Sequence, residues 1–314
     1  VAIKRVPRNR VRHWGELPDG TSAPLEVVLL DRVSTGFPGV VQLLEWLELP
    51  NYIVMVLERP ERCQDLWHFI RARGFLAEEE ARELFRQVLE AVRHCTSCGV
   101  LHRDIKPGNI LVDLATGQAK LIDFGCGTYL QDTAYTHFAG TPSYSPPEWI
   151  QHQRYQGEAA TIWSLGLLLC HLVMGKQPFR RSQEIIRGRI LFPPSLSQEC
   201  QDVIKRCLSM QPSDRPTLEE LFRHPWMQAG ATGASELSCP TPRDALLVCS
   251  FPHGLWAGMA SAMLSNSLSV PGLAVSPGSG CVAPLWPCAG PAMVAQPLCG
   301  PSPGQEHCGW EGPL

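Results

Sequence analysis

The chain has 314 residues and a formal net charge of -3, and 18% of it is charged, against roughly 25% in ordinary soluble domains. This length accommodates one large domain or two small ones. The near-neutral balance excludes a broad basic face for nucleic acid.

In chain order, Val1-Ala2-Ile3-Lys4 reads as a strand that carries a lysine after small and branched residues. Taken alone, it is equally an edge strand with a solvated Lys4. Pro24-Leu25-Glu26-Val27-Val28-Leu29-Leu30 reads as a helix with Glu26 set among apolar residues, placed to reach Lys4. Residues 40–46 and 52–57 are rich in β-branched and aromatic side chains and read as two further strands. Glu58-Arg59-Pro60-Glu61 follows as a connector. The spacing of Ala81, Leu84, Phe85, Val88, Leu89, Val92 and Cys95 predicts an amphipathic helix over 78–98. Cys95 and Cys98 have a metal-like spacing, but no second pair lies at zinc-finger distance, so buried thiols are the reading.

Two short segments carry the chemistry. They are His102-Arg103-Asp104-Ile105-Lys106-Pro107-Gly108-Asn109 and Asp123-Phe124-Gly125. Residues 110–113 and 119–122 read as strands, with Gly117 in the turn between them. A hairpin of this kind fixes the distance between the two segments. Any single Asp or Asn here is an ordinary turn residue; the whole set in this order is the catalytic and metal-binding loops of a protein kinase. Phosphoryl transfer needs metal ions against the phosphates, an acceptor hydroxyl in line and charge compensation. Asp104 suits the acceptor hydroxyl, Lys106 the transferred phosphate, and Asn109 and Asp123 offer hard oxygens to Mg²⁺. In that frame Lys4 grips the α- and β-phosphates, with Glu26 as its orienting partner.

Further on, Gly140-Thr141-Pro142 and Ser145-Pro146-Pro147-Glu148-Trp149 read as the end of an activation segment and a peptide platform. Glu148 is expected to pair with Arg215. Residues 158–174 form a core helix; their greasiest part, 163–174, is too short to cross a bilayer and contains His171. Helical segments near 182–188, 197–210 and 218–224 finish the domain at Pro225-Trp226-Met227. From Ala229 onward only Glu236, Arg243, Asp244, Glu306 and Glu311 are charged. Strings such as Pro277-Gly278-Ser279-Gly280 show no helical or strand period. Residues 228–314 therefore read as a Gly/Pro/Ser/Cys-rich tail, expected to be disordered. The chain holds 13 cysteines without a disulfide framework or a signal peptide. Reduced thiols in the cytosol or the nucleus are the expectation.

Over about 1–227 the chain resembles the PIM serine/threonine kinases. The resemblance rests on Pro24 to Leu30, on Leu57-Glu58-Arg59-Pro60-Glu61 and on residues 87–95. Lys120-Leu121-Ile122-Asp123-Phe124-Gly125, Tyr144 to Trp149, Arg215-Pro216 and His224-Pro225-Trp226-Met227 add to it. Thr161-Ile162-Trp163 lacks the Asp most kinases carry before the Trp, as this family does. The resemblance implies an α+β, bilobal kinase fold, with a β-sheet N-lobe at 1–58 and a mainly helical C-lobe at 61–227. The Gly-rich loop that covers the phosphates would precede Val1. The sheet lobe is thus expected to be truncated and ATP poorly enclosed by residues 1–314.

The implied activity is transfer of the ATP γ-phosphate to Ser or Thr of protein substrates by a monomer, using ATP and Mg²⁺ and no activation-loop phosphorylation. No nucleic acid or membrane partner is implied. Pro60 has no N–H to offer adenine. ATP would rely on the Glu58 carbonyl, on contact with Ala2, Val41, Leu57, Leu111 and Ile122, and on the phosphate grip. Leu57 would be the gatekeeper.

The departures concern the substrate groove. The family selects basic peptides with a ring of carboxylates, whereas this chain has Pro107-Gly108, His68, His171, Lys176, Arg180, His137 and Ala139 at such positions. Asp65 survives nearly alone. The local potential is expected to invert, with Asp65 keeping a residual preference for one arginine. The alternative function is a catalytically impaired pseudokinase acting as a scaffold. A tyrosine kinase is disfavoured by Lys106 and Thr141.

Overall fold

A computed structural model describes residues 1–34 and 36–229. It shows the two-lobed arrangement that the resemblance implies. In the smaller lobe, β1 (Ala2–Pro7), a hairpin of β2 (Trp14–Glu16) and β3 (Ser22–Pro24), and α1 (Leu25–Val33) precede β4 (Leu43–Glu48) and β5 (Tyr52–Leu57). β5 pairs antiparallel with both β1 and β4, in the order β1-β5-β4, and Lys4 stands opposite Met55. Strand alternation sends Ala2, Ile53 and Met55 inward. Ile53 and Met55 share one core with the apolar face of α1, where Val27, Val28, Leu29, Leu30 and Val33 are all buried.

The strand expected over 40–46 begins later, at Leu43. Val40 instead bridges to Leu121, and the Val41 N–H donates to the Leu121 carbonyl at 3.0 Å. These two valines therefore join the small lobe to the segment leading into Asp123. A register shift between Leu43 and Glu45 interrupts the β4–β5 pairing. The β2–β3 hairpin, absent from the sequence reading, closes through Asp19 and Gly20, with Gly20 at φ +83°. This conformation suits a residue without Cβ.

The larger lobe contains β6 (Cys63–Asp65), α2 (Leu66–Arg73), α3 (Glu78–Ser97), β7 (Val100–Leu101), β8 (Ile110–Asp113), β9 (Ala119–Leu121) and β10 (Thr128–Tyr129). α4 (Pro147–His152), α5 (Gly157–Met174), α6 (Ser182–Arg187), α7 (Gln198–Cys207), α8 (Leu218–Arg223) and α9 (Pro225–Gln228) complete it. β8 and β9 form the expected antiparallel hairpin, and β6 extends it on the β8 side. β7 pairs with β10.

α3 buries the residues its period predicts, from Ala81 to Cys95. α5 starts earlier than its greasiest stretch and is 18 residues long, enough by length and apolarity to cross a bilayer. It is instead the core helix of this lobe, with 72% of it buried. Glu78, at the start of α3, accepts from the Ser197 N–H and hydroxyl at 2.8 and 2.6 Å and from the Trp226 indole at 2.7 Å. One carboxylate thus ties three helices at their ends.

The ends of α2 and α5 also touch. A Cβ built on Gly175 would lie 1.8 Å from the Gly74 carbonyl oxygen, and Gly175 has φ +69°. Only glycine fits both the backbone conformation and the approach. The pair Glu148–Arg215 forms with both carboxylate oxygens engaged, at 2.8 and 2.7 Å. Its side chains are 9% and 0% exposed. Beyond Ala229, the expectation of a disordered tail falls outside the described residues.

Candidate active site

The two lobes enclose a cavity of about 460 Å³ lined by Ala2, Lys4, Glu26, Val41, Leu57, Glu58, Lys106, Asn109, Leu111, Ile122 and Asp123. Every residue proposed from sequence for nucleotide or metal lines it, and so does Lys106. Asp104 lies just behind, 6% exposed.

Lys4 is held between two carboxylates, 2.5 Å from Glu26 and 2.6 Å from Asp123. The first comes from α1 and the second from the turn after β9, so a strand, a helix and a loop meet at one ammonium. Burial alone would lower the Lys4 pKa, but Glu26 and Asp123 outweigh it and raise it, so the ammonium stays charged. Burial likewise works against the Asp123 carboxylate, and Lys4 more than offsets it, holding Asp123 below the usual range. Burial draws Glu26 upward against the pull of Lys4. With Lys4 charged and 2.5 Å away, the pair is ionic at neutral pH. Asp123 has φ 64°, in the left-handed region, which is uncommon for a residue with a Cβ. Gly125 follows because a Cβ there would press on Asp123 Oδ1 at 3.2 Å and Glu26 Oε2 at 3.4 Å.

Asp104 is the second centre. Its Oδ1 accepts from the Thr141 N–H at 2.9 Å and from the Thr141 hydroxyl at 2.6 Å. Its Oδ2 accepts from Lys106 Nζ at 2.8 Å and Asn109 Nδ2 at 2.9 Å. Lys106 Nζ also reaches Thr141 Oγ1 at 2.7 Å. Burial disfavours the Asp104 carboxylate, but Lys106 and Thr141 more than compensate and lower its pKa. It is therefore ionised at neutral pH.

His102 braces this loop from beneath. Its Nδ1 accepts from the Asp104 N–H at 3.2 Å, and its Nε2–H donates to the Ile122 carbonyl at 3.0 Å. Both bonds require a neutral ring, and burial lowers the His102 pKa. Arg103, at φ 66°, donates to the carbonyls of Cys126 and Gly127 at 2.7 and 3.2 Å. It thereby ties the catalytic loop to the segment after Asp123.

Thr141 is the partner that sequence reasoning underused; its position before the platform motif was the available signal. Glu58, expected to serve through its carbonyl, also uses its side chain. Its side chain pairs with Lys120 at 2.9 Å and accepts from the Gln42 N–H at 3.1 Å. The rim contributes Ile3, Leu30, Arg59, Asp65, Trp67, His68 and Gly108. Of these, Asp65 has partners in the first turn of α2. It caps α2 and accepts from the His68 N–H at 3.0 Å, while His68 Nδ1 lies 2.5 Å from its other oxygen. Each carboxylate oxygen thus has one partner from His68 and keeps a lone pair for a further donor.

The protein kinase domain family matches residues 1–227. The serine/threonine-protein kinase pim-2 of Danio rerio is 42% identical over 245 residues, covering 76% of this chain and 79% of that protein. The chain belongs to the PIM family of protein kinases. The serine/threonine-protein kinase prk-2 of Caenorhabditis elegans is 40% identical over 232 residues, 73% of this chain and 52% of its own length. Sperm motility kinase 2B of Mus musculus is 36% identical over 213 residues, with 66% and 43% covered.

Protein kinase domains use ATP and Mg²⁺ generally. The donor set here fits that chemistry. Asn109 spends only its Nδ2 on Asp104, so its amide oxygen has no protein partner among the described residues. Asp123 Oδ2 is likewise free of a protein donor. Both residues face the cavity, and hard oxygens of this kind suit Mg²⁺.

On the platform side, Tyr144 OH lies 2.8 Å from His171 Nδ1, with the rings stacked at 6.3 Å. Burial pushes the His171 imidazole down to about 4, so it adds no charge at neutral pH. The unfolded chain binds a proton at His171 from its ordinary value of 6.5 downward, while the folded chain does not until about 4. Stability therefore declines as pH falls through that window. Urea titrations of wild type and His171→Asn across it should show a shallower decline in the variant. Parallel slopes would remove His171 from the pH response.

Proposed function

We propose that this PIM-family chain is a serine/threonine protein kinase that transfers the γ-phosphate of ATP to protein hydroxyls. The observation that carries this reading is the convergence on one cavity of the Lys4–Glu26–Asp123 cluster and the Asp104–Lys106–Asn109–Thr141 network. Both concentrate charge at the cavity, where a triphosphate would sit.

Each group has a task. Lys4, kept charged by two carboxylates, offers its ammonium to the nucleotide phosphates. Glu26 fixes the direction of that ammonium and links it to the position of α1. Asn109 and Asp123 would hold Mg²⁺, which when bound neutralises charge on the phosphates. Ionised Asp104 has two donors on each oxygen, so by exchanging one of them it can accept the acceptor hydroxyl's proton in a hydrogen bond and point its oxygen at the phosphorus. Lys106 lies beside that path and offsets charge on the transferring group. Thr141 fixes Asp104 and Lys106 relative to each other and to the peptide platform. The bonds from Arg103 to Cys126 and Gly127 support an activation segment held without added phosphate. The seven described cysteines are all free, which fits the proposed cytosolic or nuclear setting.

The test is phosphate transfer from MgATP to a positional library of serine and threonine peptides. Transfer to serine or threonine is the expected result; none, with ATP bound, would leave a scaffold. In the same library, arginine-rich peptides should lose the advantage that groove carboxylates would give them. Two missing charge-assisted pairs correspond to at most roughly 10²–10⁴ in selectivity, and to less where the pairs are exposed. A strict requirement for several arginines would show that other carboxylates rebuild an acidic groove.

A further inference from the structure

The surface that leads away from Asp104 runs from Lys106, which is paired with Asp104, to cations that form no ion pair among the described residues. It begins at Lys106 and passes Gly108 to the first turn of α2. There Asp65 takes one contact from His68 at each oxygen, and Trp67 is 41% exposed at the cavity rim. The Arg71 guanidinium stacks over the Trp67 ring at 5.1 Å. α2 then ends at Gly74 against Gly175, which delivers the groove to the residues after α5. Tyr144 joins the same place from the catalytic side, since its N–H donates to the Thr141 carbonyl at 2.9 Å and its hydroxyl meets His171.

Lys176, Arg180 and Arg181 follow α5 directly and are exposed, and among the described residues none forms an ion pair. Three carboxylates near this path each have partners within the fold. Asp65 is bound by His68, Asp104 by Lys106, Asn109 and Thr141, and Glu184 accepts from the Arg180 backbone N–H at 2.7 Å. Loss of acids alone would leave a neutral groove. Free cations in their place attract anions and repel basic peptides, which is selection by both attraction and exclusion.

We propose that the groove between α2 and the end of α5 selects substrates bearing anionic side chains, carboxylate or phosphate, beside the acceptor hydroxyl. The proposal rests on the kinase reading for the word substrate; the recognition itself is a binding property of the groove. Lys176 and Arg180 are the specificity-determining residues.

The experiment uses the 314-residue chain and four fluorescent peptides that share one serine acceptor. Their flanks carry aspartates, phosphoserines, glutamines or arginines. Anisotropy titrations at fixed low salt should show one or both anionic peptides binding at least about tenfold tighter than the arginine peptide, or ~1.4 kcal/mol. The preference should shrink as salt rises. A phosphoserine response without an aspartate response supports the proposal and names phosphate as the source of charge. The double variant Lys176→Glu/Arg180→Glu, in which both positions are exposed, should keep its melting temperature and reverse the ranking. Equal binding of all four peptides, or preference for arginine, overturns the proposal. A separate turnover assay keeps the two readings apart. Anionic selectivity without phosphate transfer removes the kinase reading alone, and transfer with arginine preference removes the groove proposal alone.

Discussion

Replacing Asp123 by Ala should lower turnover by roughly a thousandfold, about 4 kcal/mol in the barrier. The side chain does two jobs that alanine cannot. It presents a hard oxygen to the cavity, and its other oxygen holds Lys4 at 2.6 Å. The variant should still fold, because Lys4 keeps Glu26 at 2.5 Å and no apolar contact is lost. Steady-state rates at saturating MgATP, with a thermal melt as control, separate the cases. A rate within tenfold of the parent with the melt unchanged would remove Asp123 from the chemistry.

The largest effect on stability is expected at Arg215. Its guanidinium makes two bonds to Glu148, one to the Ala159 carbonyl at 2.9 Å and one to the Ser209 carbonyl at 2.9 Å. It also lies 5.0 Å from the centre of the Trp163 ring. Arg215→Ala leaves Glu148 buried without a counter-charge and strips two carbonyls of their donor. Breaking such a pair from one side costs about 3–5 kcal/mol. For a domain of this size that lowers the melting temperature by roughly 6–20 °C. Glu148→Gln/Arg215→Met, which removes both charges, should recover much of the loss. If Arg215→Ala melts within about 2 °C of the parent, the pair contributes no more than a surface bridge.

The sequence made the chemistry legible because phosphoryl transfer fixes residue types at short spacings, as in 102–109 and 123–125. Lys4–Glu26 was also legible, because the kinase motifs require a carboxylate that orients the lysine, although a lone Glu on such a helix is usually just solvated. Long elements such as α3 showed through their period. Less was visible where tertiary partners decide. Val40 and Val41 have strand propensity, yet they bind the Leu121 segment and not β4. The β2–β3 hairpin is too short for alternation to register. The capture of Asp65 by His68 depends on the first turn of α2, where an N-cap draws the third residue's N–H and, here, its ring. Trp163 was read as part of a family motif. Its indole N–H is the one buried side-chain donor without a partner among the described residues, and no spacing in the chain signals that.

The seam between α5 and α7 holds a built-in clock for structural opening. Cys170, Cys200 and Cys207 are each fully buried along it, and a Cβ on Gly166 would lie 2.7 Å from that of Cys207. Burial raises all three thiols, Cys207 to about 12. Alkylating reagents attack thiolates, so none of these sulfurs should react while the helices stay together. Their labelling rate, read cysteine by cysteine in mass spectra, then measures how often the seam parts. Half-buried Cys63, on β6, should be modified before these three and serve as the internal reference.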